Sequence, residues 1–286
     1  MFPYRKIIEQ AWLVTKKNKF LWAYGLLLFL GQAFNVSYSV SSQTQERWRG
    51  QFNNLFDHEW LVWGLIALSA LWLLIYFRAR AGIILAVKSL LDREPVQPLA
   101  PFYLGRFFVG RMLGLTIILQ LGSLILGLLV STPVIYLFSK GLDNRAMILG
   151  LLALLIILPF IFLIVYLNIL GSLFVVFYNL PLRASLAAAG SLIGSVWRKL
   201  LAIGLMVLGL RILVLAVAAA VSAPFVIFVK MPYYLPVVLA AIIFLAVGAV
   251  FTSFEQAVWV RMFTELVKPQ KTEEREESEV VPETIV

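Results

Sequence analysis

The 286-residue chain is 62% hydrophobic and only 14% charged, whereas a soluble domain carries about 25% charged residues. That composition excludes an ordinary soluble globule and leaves little room beside about six membrane spans. The absence of cysteine removes disulfides, thiolate metal sites and cysteine nucleophiles, and the net charge of +9 is distributed as membrane topology requires, which excludes nucleic acid as a partner.

The chain opens on a segment in which Tyr4, Ile7, Ile8, Ala11 and Trp12 recur at helical spacing, with Arg5, Lys6, Glu9 and Lys16 elsewhere. This pattern predicts an amphipathic helix that lies in the headgroup plane with its basic side near anionic lipid, or that caps the bundle without binding lipid specifically. About twenty residues with several charges precede the first apolar run, a poor form for a secretory signal, so that run is expected to stay as a helix.

Six apolar segments follow, at about 20–38, 60–79, 112–138, 146–168, 200–229 and 233–256. They are continuous rather than alternating and much longer than a barrel strand of about ten residues, so helices are the expected assignment. Residues 112–139 and 146–182 contain no charge at all. Leu182, Leu186, Ala189, Ile193 and Val196 form a second amphipathic stretch, and 88–106, with Pro95, Pro98 and Pro101, a less regular one. The expected architecture is all-α: a polytopic membrane domain over 1–268, then a disordered acidic cytoplasmic tail over 269–286.

Lys and Arg alternate between the connecting segments. The N-terminal segment holds five, 78–111 six, 183–199 three and 261–286 four, while the intervening segments hold two, two and one. Eighteen thus fall on one side and five on the other, with Arg211 the remaining one of 24. The positive-inside rule then predicts both termini in the cytoplasm. Trp12, Phe20, Trp22, Trp60, Trp63, Trp197, Tyr233 and Tyr234 stand where interface anchors belong.

The chain also resembles itself. "FVGRMLGLTIILQLG" (108–122) aligns without gaps on "SVWRKLLAIGLMVLG" (195–209), placing Arg111 on Arg198, Leu113 on Leu200 and Gly122 on Gly209. "VSTPVIYLFSK" (130–140) resembles "VSAPFVIFVK" (221–230), and "NKFLWAYGLLLFLG" (18–31) fits the same frame with Gly31 on Gly122. Three pseudo-repeated helical hairpins, each led by a cytoplasmic amphipathic segment, are expected.

Reactive motifs are scarce. The single histidine, His58, stands between Asp57 and Glu59, where adjacent positions diverge by about 100° on a helix and cannot all face one ion. Asp57 is better read as a cap of the second span, with Glu59 near its positive dipole end. HExxH, GxSxG, Walker A and GxGxxG are missing in any suitable context, so no catalytic, cofactor or metal site is expected.

Polar residues inside the spans are more informative. Counted from the outer end of its own helix, Arg211 lies nineteen residues from Lys230, and Glu255 twenty-two from Tyr233. Arg78 and Arg80 lie eighteen and twenty from Trp60, Gln120 nineteen from Ser139, and Asn168 twenty-two from Ala146. At 1.5 Å per residue these depths are about 27–33 Å. They form one candidate polar layer near the cytoplasmic edge of the hydrocarbon, with Arg211 and Glu255 expected to pair. Ser131 with Pro133 and Ser222 with Pro224 form a candidate helix-break site near the outer face, since proline strips a carbonyl one turn earlier of its partner.

"YRKIIEQAWLVTKKNKFLWAYGLLL", "RARAGIILAVKSLLDREPVQPLAPFYLGRFFVGRMLGL" and "YNLPLRASLAAAGSLIGSVWRKLLAIG" together resemble a diffuse bacterial family of six-helix integral membrane proteins, similar to the membrane domain fused to some glycerophosphodiester phosphodiesterases. The resemblance spans most of 1–268 and implies the fold and a bacterial inner-membrane location. The hydrolytic domain of those fusions has no counterpart here, so no catalytic residue carries over. The expected function is that of a non-enzymatic membrane protein that interacts with lipid, anionic at the cytoplasmic face, or supports a protein partner. The alternative is a small-solute or lipid transporter working through the polar layer around Arg211 and Glu255.

Overall fold

The computed structural model describes residues 2–36, 59–227 and 234–267, which are almost entirely α-helical, with no strand among them. The helices are α1 (Tyr4–Lys17), α2 (Phe20–Val36), α3 (Glu59–Leu91), α4 (Ala100–Gly105), α5 (Val109–Ser139), α6 (Asp143–Tyr178), α7 (Leu182–Ile227) and α8 (Tyr234–Val267). A 3-10 turn, Arg106–Phe108, joins α4 to α5. Five stretches are long and apolar enough to cross a membrane: Trp60–Leu91, Ala100–Ser139, Asp143–Tyr178, Leu182–Ala223 and Val238–Val267; Phe20–Gly31 is a shorter apolar helix. The chain is therefore all-helical and of the membrane-spanning class. Asp57, His58 and the tail 269–286 lie outside the described residues.

Two compact units divide the chain: 1–106 with 203–286, and 107–202. In the first, α8 packs on α1, α2 and α3, while α3 also packs on α2 and α4. The α2–α8 contact is the closest. A Cβ built on Gly25 would collide with the Ala249 carbonyl and the Ser253 hydroxyl, and that hydroxyl lies 2.7 Å from the Leu21 carbonyl. Small residues and interhelical hydrogen bonds do this work in lipid, where apolar surface gains nothing by leaving one hydrocarbon for another. Among the described residues, the 203–227 stretch of α7 makes few close backbone approaches to the other helices of the unit.

Three helices run well past the apolar segments from which they are built. α3 continues from 79 to Leu91, α6 from 168 to Tyr178 and α8 from 256 to Val267. Charged or polar residues end the hydropathy signal at these points, but the following turns enter protein. Ala79, Ala81, Ile83 and Ile84 are buried, as are Leu170 and Leu173, and Val258, Met262 and Phe263. The apolar middles are instead largely uncovered: the most apolar 18-residue window of α6 contains no buried residue.

The N-terminal helix is packed on protein along the centre of its apolar stripe. Ile7, Ala11 and Thr15 are buried and α1 packs on α8, as the bundle-capping alternative requires. Trp12 and Leu13 remain exposed. The corner into α2 is locked by Asn18, whose Nδ2 donates to the Val14 carbonyl at 2.8 Å, and by the Trp22 indole, which donates to the Thr15 carbonyl at 3.1 Å.

In the second unit α5 packs on α6. Arg111 Nη1 donates to the Asn179 carbonyl at 2.9 Å, gripping the left-handed residue (φ 53°) that caps α6. Gly141, at φ 71°, closes α5: its N–H reaches the Phe138 carbonyl and that of Leu142 reaches the Leu137 carbonyl, the double bond pattern of a Schellman cap. The amphipathic stretch 182–196 and the following span are two helical stretches of α7 that meet at a kink at Val196 (φ −127°, ψ 21°).

The pivotal contact is testable. Gly25→Ala is expected to lower thermal stability in detergent, because overpacking costs about 1–3 kcal/mol against a helix-propensity gain of about 1 kcal/mol. Gly64→Ala, where a Cβ meets nothing within 4 Å, is expected to be neutral or slightly stabilising. Equal melting shifts for the two variants would show that the α2–α8 approach is not tight.

Candidate functional site

Glu255 stands on α8 with its side chain 15% exposed, and Arg211 on α7 with its side chain 36% exposed. Arg211 Nη2 donates to Glu255 Oε2 at 2.8 Å. Such a bond is charge-assisted on both sides and among the stronger kinds. Arg80 of α3 and the Trp259 indole, one turn along α8, also act on the Glu255 carboxylate. The residues around this group are apolar and packed: Ala79, Phe254, Val258 and Trp259 are all buried.

Aromatic contacts set the level of the pair relative to α1. The Trp12 ring meets Phe254, the neighbour of Glu255, edge-on at 6.0 Å. The carboxylate therefore lies at the height of the amphipathic helix, whose Arg5, Lys6, Lys16 and Lys17 are exposed. One and a half turns further, Arg261 pairs with Glu265 along α8. Their i, i+4 spacing made that pair readable from the sequence.

The candidate layer is thus gathered only in part. Arg80, Arg211 and Glu255 share one electrostatic neighbourhood. Arg78 is on the same helix as Arg80, but its guanidinium lies over the Phe102 ring, 4.6 Å from the centroid. There it holds the 95–105 segment against α3. The Tyr24 hydroxyl fixes the same segment by donating to the Pro98 carbonyl at 2.8 Å. No local sequence signal points from Arg78 to Phe102. Gln120 and Asn168 belong to the second unit; Gln120 is exposed, and Asn168 is half-buried, its carbonyl accepting from Ser172 Oγ at 2.6 Å.

The helix-break candidates behave alike. α5 continues past Pro133 and α7 past Pro224. Ser131 Oγ donates to the Leu128 carbonyl at 3.4 Å and Ser222 Oγ to the Ala219 carbonyl at 3.0 Å. In each case the acceptor directly precedes the carbonyl that the proline leaves without its helical partner. Thr132 Oγ1 also donates to Leu128, at 2.6 Å. Among the described residues, no three His, Cys, Asp or Glu side chains gather as a metal site would require.

Comparison of the chain with family models, with curated proteins and with solved structures gives no match.

The pair is open to a double-mutant cycle. Arg211→Ala and Glu255→Ala are each expected to lower the melting temperature in detergent, and the double variant by less than the two losses combined. The loss stays below the roughly 3–5 kcal/mol of a fully buried pair, because Arg211 is 36% exposed. Glu255→Ala is expected to be the more damaging, since the carboxylate interacts with Arg80 as well as with Arg211. Strictly additive losses would show that 211 and 255 are not coupled.

Proposed function

We propose that this chain is a non-enzymatic, multi-pass protein of the bacterial inner membrane that engages anionic lipid at its cytoplasmic face. The observation that carries this reading is a belt of exposed apolar and basic side chains on the first unit. Trp12 and Leu13 are 46% and 50% exposed beside exposed Lys16 and Lys17. Leu99, Tyr103 and Leu104 are 66%, 59% and 52% exposed beside exposed Arg106. Aromatic and aliphatic side chains next to cations match the chemistry of the headgroup boundary. The packed apolar surroundings of Glu255 favour this reading over transport.

In this reading α2 is the sixth span; its 17 residues extend about 25 Å at 1.5 Å per residue. The six spans form three hairpins of common descent, and the resemblance to the membrane domain of glycerophosphodiester phosphodiesterases extends to this framework but not to any hydrolytic activity. Both termini face the cytoplasm, in keeping with eighteen Lys and Arg against five.

Lipid engagement has a direct assay. The full chain is reconstituted into vesicles of equal phosphatidylglycerol and phosphatidylcholine, excised with its surrounding lipid, and that lipid is counted by mass spectrometry. Phosphatidylglycerol is expected to be enriched over the bulk ratio, with the enrichment shrinking as salt rises. A retained shell at the bulk ratio overturns the reading.

Orientation is tested separately in this cysteine-free chain. Asn144→Cys and Ser191→Cys occupy exposed positions at opposite ends of the helices. An impermeant thiol reagent added to intact cells is expected to label the cysteine at 144, and to label the one at 191 only after permeabilisation. Labelling at 191 in intact cells refutes a cytoplasmic N-terminus.

A further inference from the structure

The corner between α1 and α2 carries a cationic cluster. Lys16, Lys17 and Lys19 are exposed, and among the described residues no carboxylate lies within ion-pair distance of them. The carboxylates that form ion pairs in this unit are held by arginines: Glu9 by Arg5, Glu255 by Arg211 and Glu265 by Arg261. The helix dipole favours Lys16 and Lys17 in the last turn of α1, but it supplies no counter-ion. Like charges this close repel one another until an anion joins them.

The same chain supplies a complement. Beyond Val267, where α8 ends, the sequence continues into "EEREESE" (273–279), five glutamates and one arginine in seven residues, a net charge of −4. Because α1 packs on α8, this run begins on the same side of the membrane as the lysines. Trp12 meets Phe254, which lies thirteen residues before Val267, about 20 Å of helix. The lysines follow Trp12 by four to seven residues, at most about 10 Å more. Extended chain covers about 3.3 Å per residue, so Glu273 reaches about 20 Å from Val267 and Glu279 about 40 Å. The acidic run therefore spans the distance to the lysines.

We propose that the acidic segment 273–279 docks on the corner formed by Lys16, Lys17 and Lys19 and competes there with anionic lipid. A single exposed Lys–Glu pair is weak and screened by salt. Several such pairs made by a tethered segment act together, because tethering sets an effective concentration of about millimolar. Lys16 and Lys17 stand beside exposed Trp12 and Leu13, in the belt that engages lipid, so the segment and lipid phosphates exclude each other from these cations. The competition rests on the lipid-engaging reading above; the docking does not.

The docking is read by carbodiimide cross-linking of the purified full chain in neutral detergent. A glutamate and a lysine close enough to pair condense to an amide, and the carbodiimide takes up the released water as a urea. Mass spectrometry of the digest is expected to find Lys16, Lys17 or Lys19 joined to 273–279, at a yield that falls about threefold or more as salt rises from about 0.05 to about 0.5 M. In a mixture of light and isotopically heavy chains, both joined peptides are expected to come from one chain. The competition is read in the vesicle assay above. Replacing Glu273, Glu274, Glu276, Glu277 and Glu279 by Gln is expected to raise phosphatidylglycerol enrichment about twofold, as lysines released to an anionic surface should. Adding Lys16→Gln, Lys17→Gln and Lys19→Gln is expected to abolish that rise.

Cross-links that are absent, that form only between chains, or that favour the three lysines no more than exposed Lys6 overturn the docking. Unchanged phosphatidylglycerol enrichment in the glutamine variant overturns the competition and leaves general lipid engagement standing. A lipid shell at the bulk ratio in both wild type and variant overturns the lipid reading and the competition with it, while the cross-links still decide the docking.

Discussion

A carboxylate at position 255 sets the terms for the first unit. An ionised group in low dielectric must be paired and hydrogen-bonded or it is too costly to keep. Glu255, only 15% exposed, meets this demand from helices that are far apart in sequence: Arg211 on α7 and Arg80 on α3. The Arg211–Glu255 bond ties this stretch of α7 to α8, beside the buried side chains of Ile203, Val207 and Ala218 on the same stretch. A lysine would carry the charge but not the planar fork that grips a carboxylate edge and still offers donors outward. The helix-borne arginine in an apolar run is thus explained by its partner, and its partner by the close-packed α8 that carries it.

What lets α8 hold that carboxylate in place is a second constraint, of size rather than charge. Gly25 brings the α2 backbone against Ala249 and Ser253, two residues short of Glu255. The Ser253 hydroxyl lies within bonding distance of carbonyls on both helices, at 2.7 and 2.8 Å. Trp12 then closes over Phe254. Residues 253, 254 and 255 therefore face, in turn, a neighbouring helix, the amphipathic helix and the charged cluster. Successive positions on a helix differ by about 100°, so this one turn of α8 binds three directions of the unit together.

Much of this was legible from the sequence, and the failures share a cause. The Arg211–Glu255 bond followed from counting residues back from a common turn, because helical rise is uniform. The apolar segments ending at 79, 168 and 256 do not mark helix ends, because hydropathy reports where lipid contact should stop, whereas helices stop where backbone bonding stops. Beyond those points Ala79–Val87, Leu170–Val176 and Ala257–Phe263 are covered by protein. The stripe on α1 was visible, but a stripe cannot say whether lipid or α8 covers it. Gln120 shares a computed depth with Glu255 yet belongs to another unit, since depth along a helix says nothing about lateral position. The aligned glycines show the same limit: Gly31 faces the Tyr76 ring, while Gly122 and Gly209 face open space.

The distribution of burial has a mechanical consequence. In each unit the packed side chains cluster where the polar residues lie, and the purely apolar reaches of α5 and α6 carry mostly exposed Leu and Ile. Apolar surface in lipid gains little by pairing, so those reaches contribute length and insertion energy but little tertiary stability. Local opening is cheapest where contacts are fewest. The Pro133 turn sits in such a reach of α5, and its neighbouring hydroxyls, Ser131 and Thr132, bind within their own helix. Cooperative unfolding, by contrast, must break the cluster of Gly25, Ser253, Arg80, Arg211 and Glu255. Stability of the first unit is therefore concentrated at one level, where the close α2–α8 approach and the Arg211–Glu255 bond lie within a few residues of each other along α8.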